Sequence, residues 1–92
     1  GTAITREALA MIEAAETVLR EQGLRQVRVR HHGDLARIEV SPDELDRFAD
    51  PAVRAAVSAC LHQLGYRFVA LDLDGYRTGS LNAALIAGRK PA

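Results

Sequence analysis

The order helix, strand, strand, helix, strand, read along 92 residues, predicts a small α+β domain. Its sheet has three strands, mostly antiparallel, with two main helices on one face. Three observations carry this. Apolar residues recur at three-four spacing over 5–22 and again from Val53 to Leu64, which marks two helices. Two alternating segments, 25–31 and 35–40, flank a glycine-containing turn, which marks a hairpin. A third apolar segment, 66–73, follows the second helix.

The first helix has Thr5 as N-cap, with Ile4 and Leu9 placed for a hydrophobic staple. Ala8, Met11, Ile12, Ala15, Val18 and Leu19 form its apolar stripe. Gly23 is placed to end it in the left-handed conformation. Glu16 sits at the margin of the stripe, as either a boundary residue reaching water or a functional one. In the hairpin, Val27 and Val29 share a face with Ala36, Ile38 and Val40. The turn is read as His31-His32-Gly33-Asp34, so Arg30 pairs with Leu35, Val29 with Ala36 and Val27 with Ile38. Gln26, Arg28, Arg30, Leu35, Arg37 and Glu39 then share the opposite face.

Ser41-Pro42-Asp43-Glu44 reads as a capping box opening a short helix through about Phe48. Asp50-Pro51 caps the second main helix, whose stripe is Val53, Ala56, Val57, Cys60, Leu61 and Leu64, and Gly65 closes it. Cys60 lies inside that stripe and reads as a core residue. In the third strand Val69, Leu71 and Leu73 are expected to face the core, and Phe68, Ala70 and Asp72 the other side. Asp74-Gly75 makes a turn. Residues 76–82, rich in hydrogen-bonding groups, read as a functional loop. Residues 83–87 fit a last helical turn before a frayed tail. The arrangement resembles a split βαβ fold without its first strand, and 1–92 form one domain.

Composition narrows the function. Twelve basic residues balance twelve acidic ones and aromatics make up 4%. Neither a bulk electrostatic nucleic-acid surface nor a base-stacking platform is expected. No apolar run suits a membrane span. One cysteine suits a reducing compartment, so a cytoplasmic location is expected. The opening Gly1-Thr2-Ala3-Ile4 does not look like a natural N-terminus and suggests a segment of something longer.

Arg28 and Arg30, two apart on a strand, point to one face and form a candidate anion site, with phosphate the favoured anion. The competing reading is a solvated hairpin face. In the register above Arg28 lies opposite Arg37, which is unfavourable unless an anion or the diagonal Glu39 compensates. His31, Arg37, Tyr76 and Arg77 are further candidates. His31 and His32 point to opposite faces and do not converge on one metal. A divalent ion at Glu16 and Glu39 is the better metal candidate. There is no phosphate loop, no CxxC pattern and no nucleophile-base-acid spacing, so the segment alone does not read as an enzyme.

The strings Arg-Gln-Val-Arg-Val-Arg-His-His-Gly-Asp-Leu-Ala-Arg-Ile-Glu-Val (25–40) and Leu-Asp-Leu-Asp-Gly-Tyr-Arg-Thr-Gly-Ser-Leu-Asn (71–82) resemble the C-terminal domain of the ATP-dependent sacrificial sulfur transferases, the LarE family of PP-loop ATP pyrophosphatases. Ile12-Glu13-Ala14-Ala15-Glu16 and the first five residues match too. The resemblance implies a role in making the nickel-pincer nucleotide cofactor of lactate racemase. An N-terminal domain, using ATP and Mg²⁺, would adenylylate a carboxylate of a pyridinium mononucleotide. A cysteine, or in some members an iron-sulfur cluster, would then supply sulfur. It further implies a homo-oligomer to which this domain contributes contacts. Arg28 and Arg30 match phosphate-binding arginines, and Glu16 and Glu39 match acidic residues associated with metal and substrate. The PP-loop and the sulfur-bearing cysteine would lie before Gly1, and Cys60 does not match the latter, so the segment alone is expected to be inactive. Two alternatives stand beside this: a non-catalytic module binding a phosphorylated ligand or partner through its open sheet face, and a PP-loop enzyme acting on another acceptor such as tRNA, which the zero net charge disfavours.

Overall fold

A computed structural model describes residues 5–76. The expectations at Ile4, in the 77–82 part of the loop and in the 83–87 turn lie outside them. The order is α1 (Arg6–Glu21), β1 (Val27–His32), β2 (Leu35–Val40), a 3₁₀ helix (Pro42–Ala49), α2 (Pro51–Gln63) and β3 (Phe68–Leu71). The α+β class and the element order are as the sequence predicts. The sheet, in the order β1-β2-β3, is mixed rather than mostly antiparallel. β1 and β2 pair antiparallel, while β3 returns parallel to β2 after α2, because a helical crossover brings the chain back in the same direction.

Thr5 caps α1 by accepting the Ala8 N–H through Oγ1 at 3.0 Å, and Asp50 caps α2 by accepting from Ala52 N–H at 2.9 Å. Both helices end the same way. Gly23 N–H donates to Arg20 and Leu24 N–H to Leu19; Gly65 N–H donates to His62 and Tyr66 N–H to Leu61. These are Schellman motifs, with a left-handed glycine at the turn. Each delivers an apolar residue, Leu24 or Tyr66, directly into the core.

That core is the face carrying Val27, Val29, Ala36, Ile38 and Val40. Ala15 and Leu19 of α1, Val57 and Leu61 of α2, and Phe48 of the 3₁₀ helix pack against it. Both helices therefore cover one face and leave the other open. Cys60 is half-buried against the same cluster. Among the described residues no helix is long and apolar enough to cross a membrane.

Four expectations are corrected. The hairpin turn is two residues, Gly33-Asp34, so His31 and His32 extend β1 and every pairing shifts by two. Val27 faces Val40, Arg28 faces Glu39, Val29 faces Ile38 and Arg30 faces Arg37. Gly33 supplies positive φ at the first central position, as a type II′ turn requires. Because the shift is even, every side chain keeps its expected face. Ser41 and Glu44 form no capping box: the Ser41 hydroxyl donates to the Asp43 carboxylate, and Glu44 turns inward to the backbone N–H groups of Arg25 and Gln26. The segment becomes 3₁₀, with Glu44 N–H bonding Ser41 C=O at 2.7 Å. Finally, Leu73 is 83% exposed, because β3 ends at Leu71 and the chain turns, Gly75 N–H donating to Asp72 C=O.

Candidate functional site: an arginine cluster on the open sheet face

Strand alternation puts Arg28 and Arg30 on the open face, both exposed, while the flanking Val27 and Val29 are buried. Arg37 joins them from β2, directly opposite Arg30. A like-charged cross-strand pair is unfavourable by about 0.2–1 kcal/mol. Glu39 resolves it: its carboxylate receives Arg30 Nε at 3.3 Å and Arg37 Nη2 at 3.2 Å. Only 6% of Glu39 is exposed, so the charge is held beneath the guanidiniums that cover it. Arg37 Nε also lies 3.8 Å from Asp72, an ion-pair distance too long for a hydrogen bond, and is buried with no hydrogen-bond partner among the described residues.

Arg28 is held differently. Its guanidinium lies over the Tyr76 ring, 5.6 Å from the centroid, a cation–π contact. Among the described residues no carboxylate is within ion-pair distance of it. Tyr76 is brought there by the turn at Gly75. Tyr76 N–H donates to Val40 C=O at 2.6 Å, and a Cβ on Gly75 would sit 2.6 Å from that same oxygen. Only glycine, at φ +81, allows so close an approach. Among the described residues three arginines face two carboxylates here, and Arg28 is the one with neither carboxylate in ion-pair distance.

The other sequence candidates are dispersed. Glu16 is not on this face. Its Oε2 accepts the Val29 N–H at 3.0 Å and its Oε1 lies 3.6 Å from Arg20. It therefore closes the outer edge of β1, which would otherwise present an unpaired donor. His31 points to the core side, where its Nδ1 pairs with the Tyr66 hydroxyl at 2.8 Å and the rings meet edge-on. Alternation from Arg30 requires this placement. Burial pushes the Tyr66 phenol above its ordinary pKa of 10.0. Arg77 lies outside the described residues. Among those residues no three His, Cys, Asp or Glu converge into a metal site. Glu16 is engaged by the Val29 N–H and by Arg20, and Glu39 by the guanidiniums of Arg30 and Arg37.

Two residues escaped sequence reasoning. Arg20, in the last turn of α1, and Arg25, just before β1, line a cavity of about 200 Å³ with Gln26, Val27, Arg28 and Tyr76. Arg25 also bonds Asp43 at 2.9 Å and approaches Glu44 at 3.6 Å. The Ser41 hydroxyl, and with it Arg25, holds the Asp43 carboxyl below its ordinary range. The available signal was that the Schellman turn at Gly23 folds the end of α1 back beside the start of β1, joining arginines five and eight positions apart.

No protein-family model matches the chain. It is 41% identical over 85 residues to the pyridinium-3,5-bisthiocarboxylic acid mononucleotide synthase of Lactiplantibacillus plantarum, a match covering 92% of this chain and 30% of that protein. It is 39% identical over 85 residues to an uncharacterised protein of Synechocystis sp., covering 92% and 32%. The chain thus spans about a third of the length of the curated relatives it matches. The resemblance to the sulfur transferases is borne out: over nearly all its length this chain is similar to part of a pyridinium-3,5-bisthiocarboxylic acid mononucleotide synthase.

Proposed function

We propose that this chain is the C-terminal, ligand-binding part of an ATP-dependent sulfur transferase. In this reading its open sheet face holds the phosphate of a pyridinium mononucleotide. The observation that carries the reading is the excess of guanidinium among the described residues of that face, where Arg28 has no carboxylate within ion-pair distance and lies beside the Glu39-bridged Arg30 and Arg37. Two guanidiniums about two strand residues apart, roughly 7 Å, can grip one phosphate from both sides. A relative whose name specifies a mononucleotide product supports phosphate as the anion. Activation by ATP and Mg²⁺, the sulfur donor and oligomer assembly are then supplied by, or shared with, the rest of the longer protein. A cytoplasmic location goes with this reading.

The test is made in that longer protein. Arg28→Ala with Arg30→Ala should abolish sulfur transfer to the mononucleotide and leave the fold intact, because both side chains point away from the core. Full activity in the double variant would refute the reading. An upstream Ser-Gly-Gly-x-x-Ser motif is also required, and its absence from the parent gene would leave only a non-catalytic phosphate-binding module.

A further inference from the structure

The two edges of the sheet are finished differently. At β1 the Glu16 carboxylate takes the Val29 N–H and closes that edge. At β3 the N–H groups of Phe68 and Asp72 turn inward to β2, reaching Asp34 C=O at 3.2 Å and Ile38 C=O at 2.8 Å. Alternation then turns the N–H and C=O groups of Val69 and Leu71 outward, and among the described residues nothing pairs with them. Apart from its shortness, β3 carries none of the usual edge guards, neither charge nor proline nor bulge. Beside it lies an apolar cavity of about 240 Å³, lined by Ile38, Phe48 and Val57 and extending to Val69, Ala70 and Leu71. The Ala70 side chain shares the open face with Arg37, so Ala70 lines the cavity with its backbone, and the cavity reaches the strand edge. Two exposed apolar side chains, Phe68 at 54% and Leu73 at 83%, flank the same edge.

We propose that this edge pairs with a second copy of the chain, β3 lying antiparallel to β3 of the other copy, so that two three-stranded sheets become one of six strands. The charges on either side of β3 argue for a copy in this orientation. Arg67 precedes the strand, and Asp72 and Asp74 follow it. Antiparallel self-pairing brings the basic end of each strand against the acidic end of the other, whereas parallel addition would stack like charges. With the twofold axis at Ala70, Val69 of each copy lies opposite Leu71 of the other, and each of these two pairs exchanges two main-chain hydrogen bonds. Ala70 then meets Ala70 at the narrow pair of the ladder, about 4.5 Å between Cα atoms, where two methyl groups fit and no charge repels. This register keeps core side with core side, which sets Leu71 of the second copy beside the apolar cavity. A patch built on four strand residues is below standard interface size, so the association is weak, with Kd on the order of 0.1 mM. The proposal supplies an interface for the oligomer assembly of the reading above and is independent of its anion site.

Sedimentation and amide hydrogen exchange on the 92-residue chain test it, from roughly tenfold below to tenfold above that Kd. The chain should pass from monomer to dimer. The Val69 and Leu71 amides should exchange several-fold more slowly at the high end, with the β1 amides unchanged. Ala70→Lys, at an exposed position, keeps the monomer folded and sets two like charges opposite each other at the axis; it should weaken the dimer on the order of tenfold or more. Arg67→Glu and Asp74→Arg should each weaken it, and the two together should recover most of the loss, which only antiparallel pairing allows. A chain monomeric throughout overturns the proposal. So does a dimer indifferent to Ala70→Lys, or a charge reversal without recovery. Val69 and Leu71 amides protected only within the longer protein would assign the edge to another of its segments and overturn self-pairing too. Phosphate binding at Arg28 and Arg30 is read by a separate titration, so these failures are distinct from failure of the anion site.

Discussion

Replacing Glu39 by Gln should weaken the fold and strengthen anion binding, and this opposition identifies the site. In the unliganded protein the Glu39 carboxylate receives guanidiniums at 3.3 and 3.2 Å. Buried charge-assisted bonds contribute about 1.5–3 kcal/mol each. Arg30 and Arg37 are 43% and 40% exposed, so solvent screening brings each pair down to about 1 kcal/mol or less. The Arg30–Arg37 repulsion, no longer offset, adds about 0.2–1 kcal/mol. The total is about 2 kcal/mol, which for a domain of this size lowers Tm by roughly 10 °C. A bound phosphate takes over the role of Glu39 as counter-ion. Glu39→Gln should therefore bind phosphate several-fold more tightly, on the order of 1 kcal/mol, and the Tm gap should narrow as phosphate is added. Differential scanning fluorimetry across a phosphate titration reads both effects. A stable variant that binds phosphate more weakly would refute the reasoning, because it would make Glu39 part of the ligand's own contact set.

Other parts of the structure make independent predictions. Gly75→Ala places a Cβ 2.6 Å from the Val40 carbonyl oxygen at φ +81. It should cost about 2 kcal/mol or more in chemical denaturation, whereas Gly33→Ala, with nothing within 4 Å, should cost about 1 kcal/mol. Glu16→Ala removes the partner of the Val29 N–H. It should cost about 1–2 kcal/mol and speed hydrogen exchange at Val29 more than at other β1 amides. Leu19→Ala, at a fully buried position, should cost about 2–5 kcal/mol by equilibrium unfolding. Tyr66 titrates in the folded state above its ordinary value of 10.0 because burial disfavours the phenolate. The folded state therefore holds the proton longer than the unfolded one. The associated stability is fully present below pH 10 and is lost as pH rises through the raised value. Tyr66→Phe should flatten that alkaline limb in pH-dependent unfolding.

Much of this was legible in the sequence because caps and glycines act locally. Thr5, Asp50, Gly23 and Gly65 mark helix ends through bonds spanning two to five residues, and the structure uses each as its chemistry dictates. The faces of the hairpin were also legible, since alternation is insensitive to an even shift in register. The register was not. A four-residue and a two-residue turn around Gly33 both leave the valines buried, and choosing between them depends on backbone twist at the turn. That choice decides whether Arg28 faces Arg37 or Glu39, and hence which arginine of the described face lacks a carboxylate within ion-pair distance. Glu44 was misread for a related reason. Its sequence position fits a local cap, yet the N–H groups of Arg25 and Gln26, 19 and 18 residues earlier, compete for the carboxylate and win. The cavity at Arg20 and Arg25 arises where the turn at Gly23 sets a helix end beside a strand start; Gly23 is its sequence signal, while the spacing of the arginines alone does not encode it.

The central claim, that the open sheet face binds phosphate through Arg28 and Arg30, is tested most directly by titrating the isotopically labelled chain with inorganic phosphate and following its amide and guanidinium NMR signals. Saturable shifts should concentrate at Arg28, Arg30, Arg37, Glu39 and Tyr76, spare His31 on the opposite face, and vanish in Arg28→Gln/Arg30→Gln. Saturable shifts that survive that double substitution, or no saturable shift on this face at all, would contradict it.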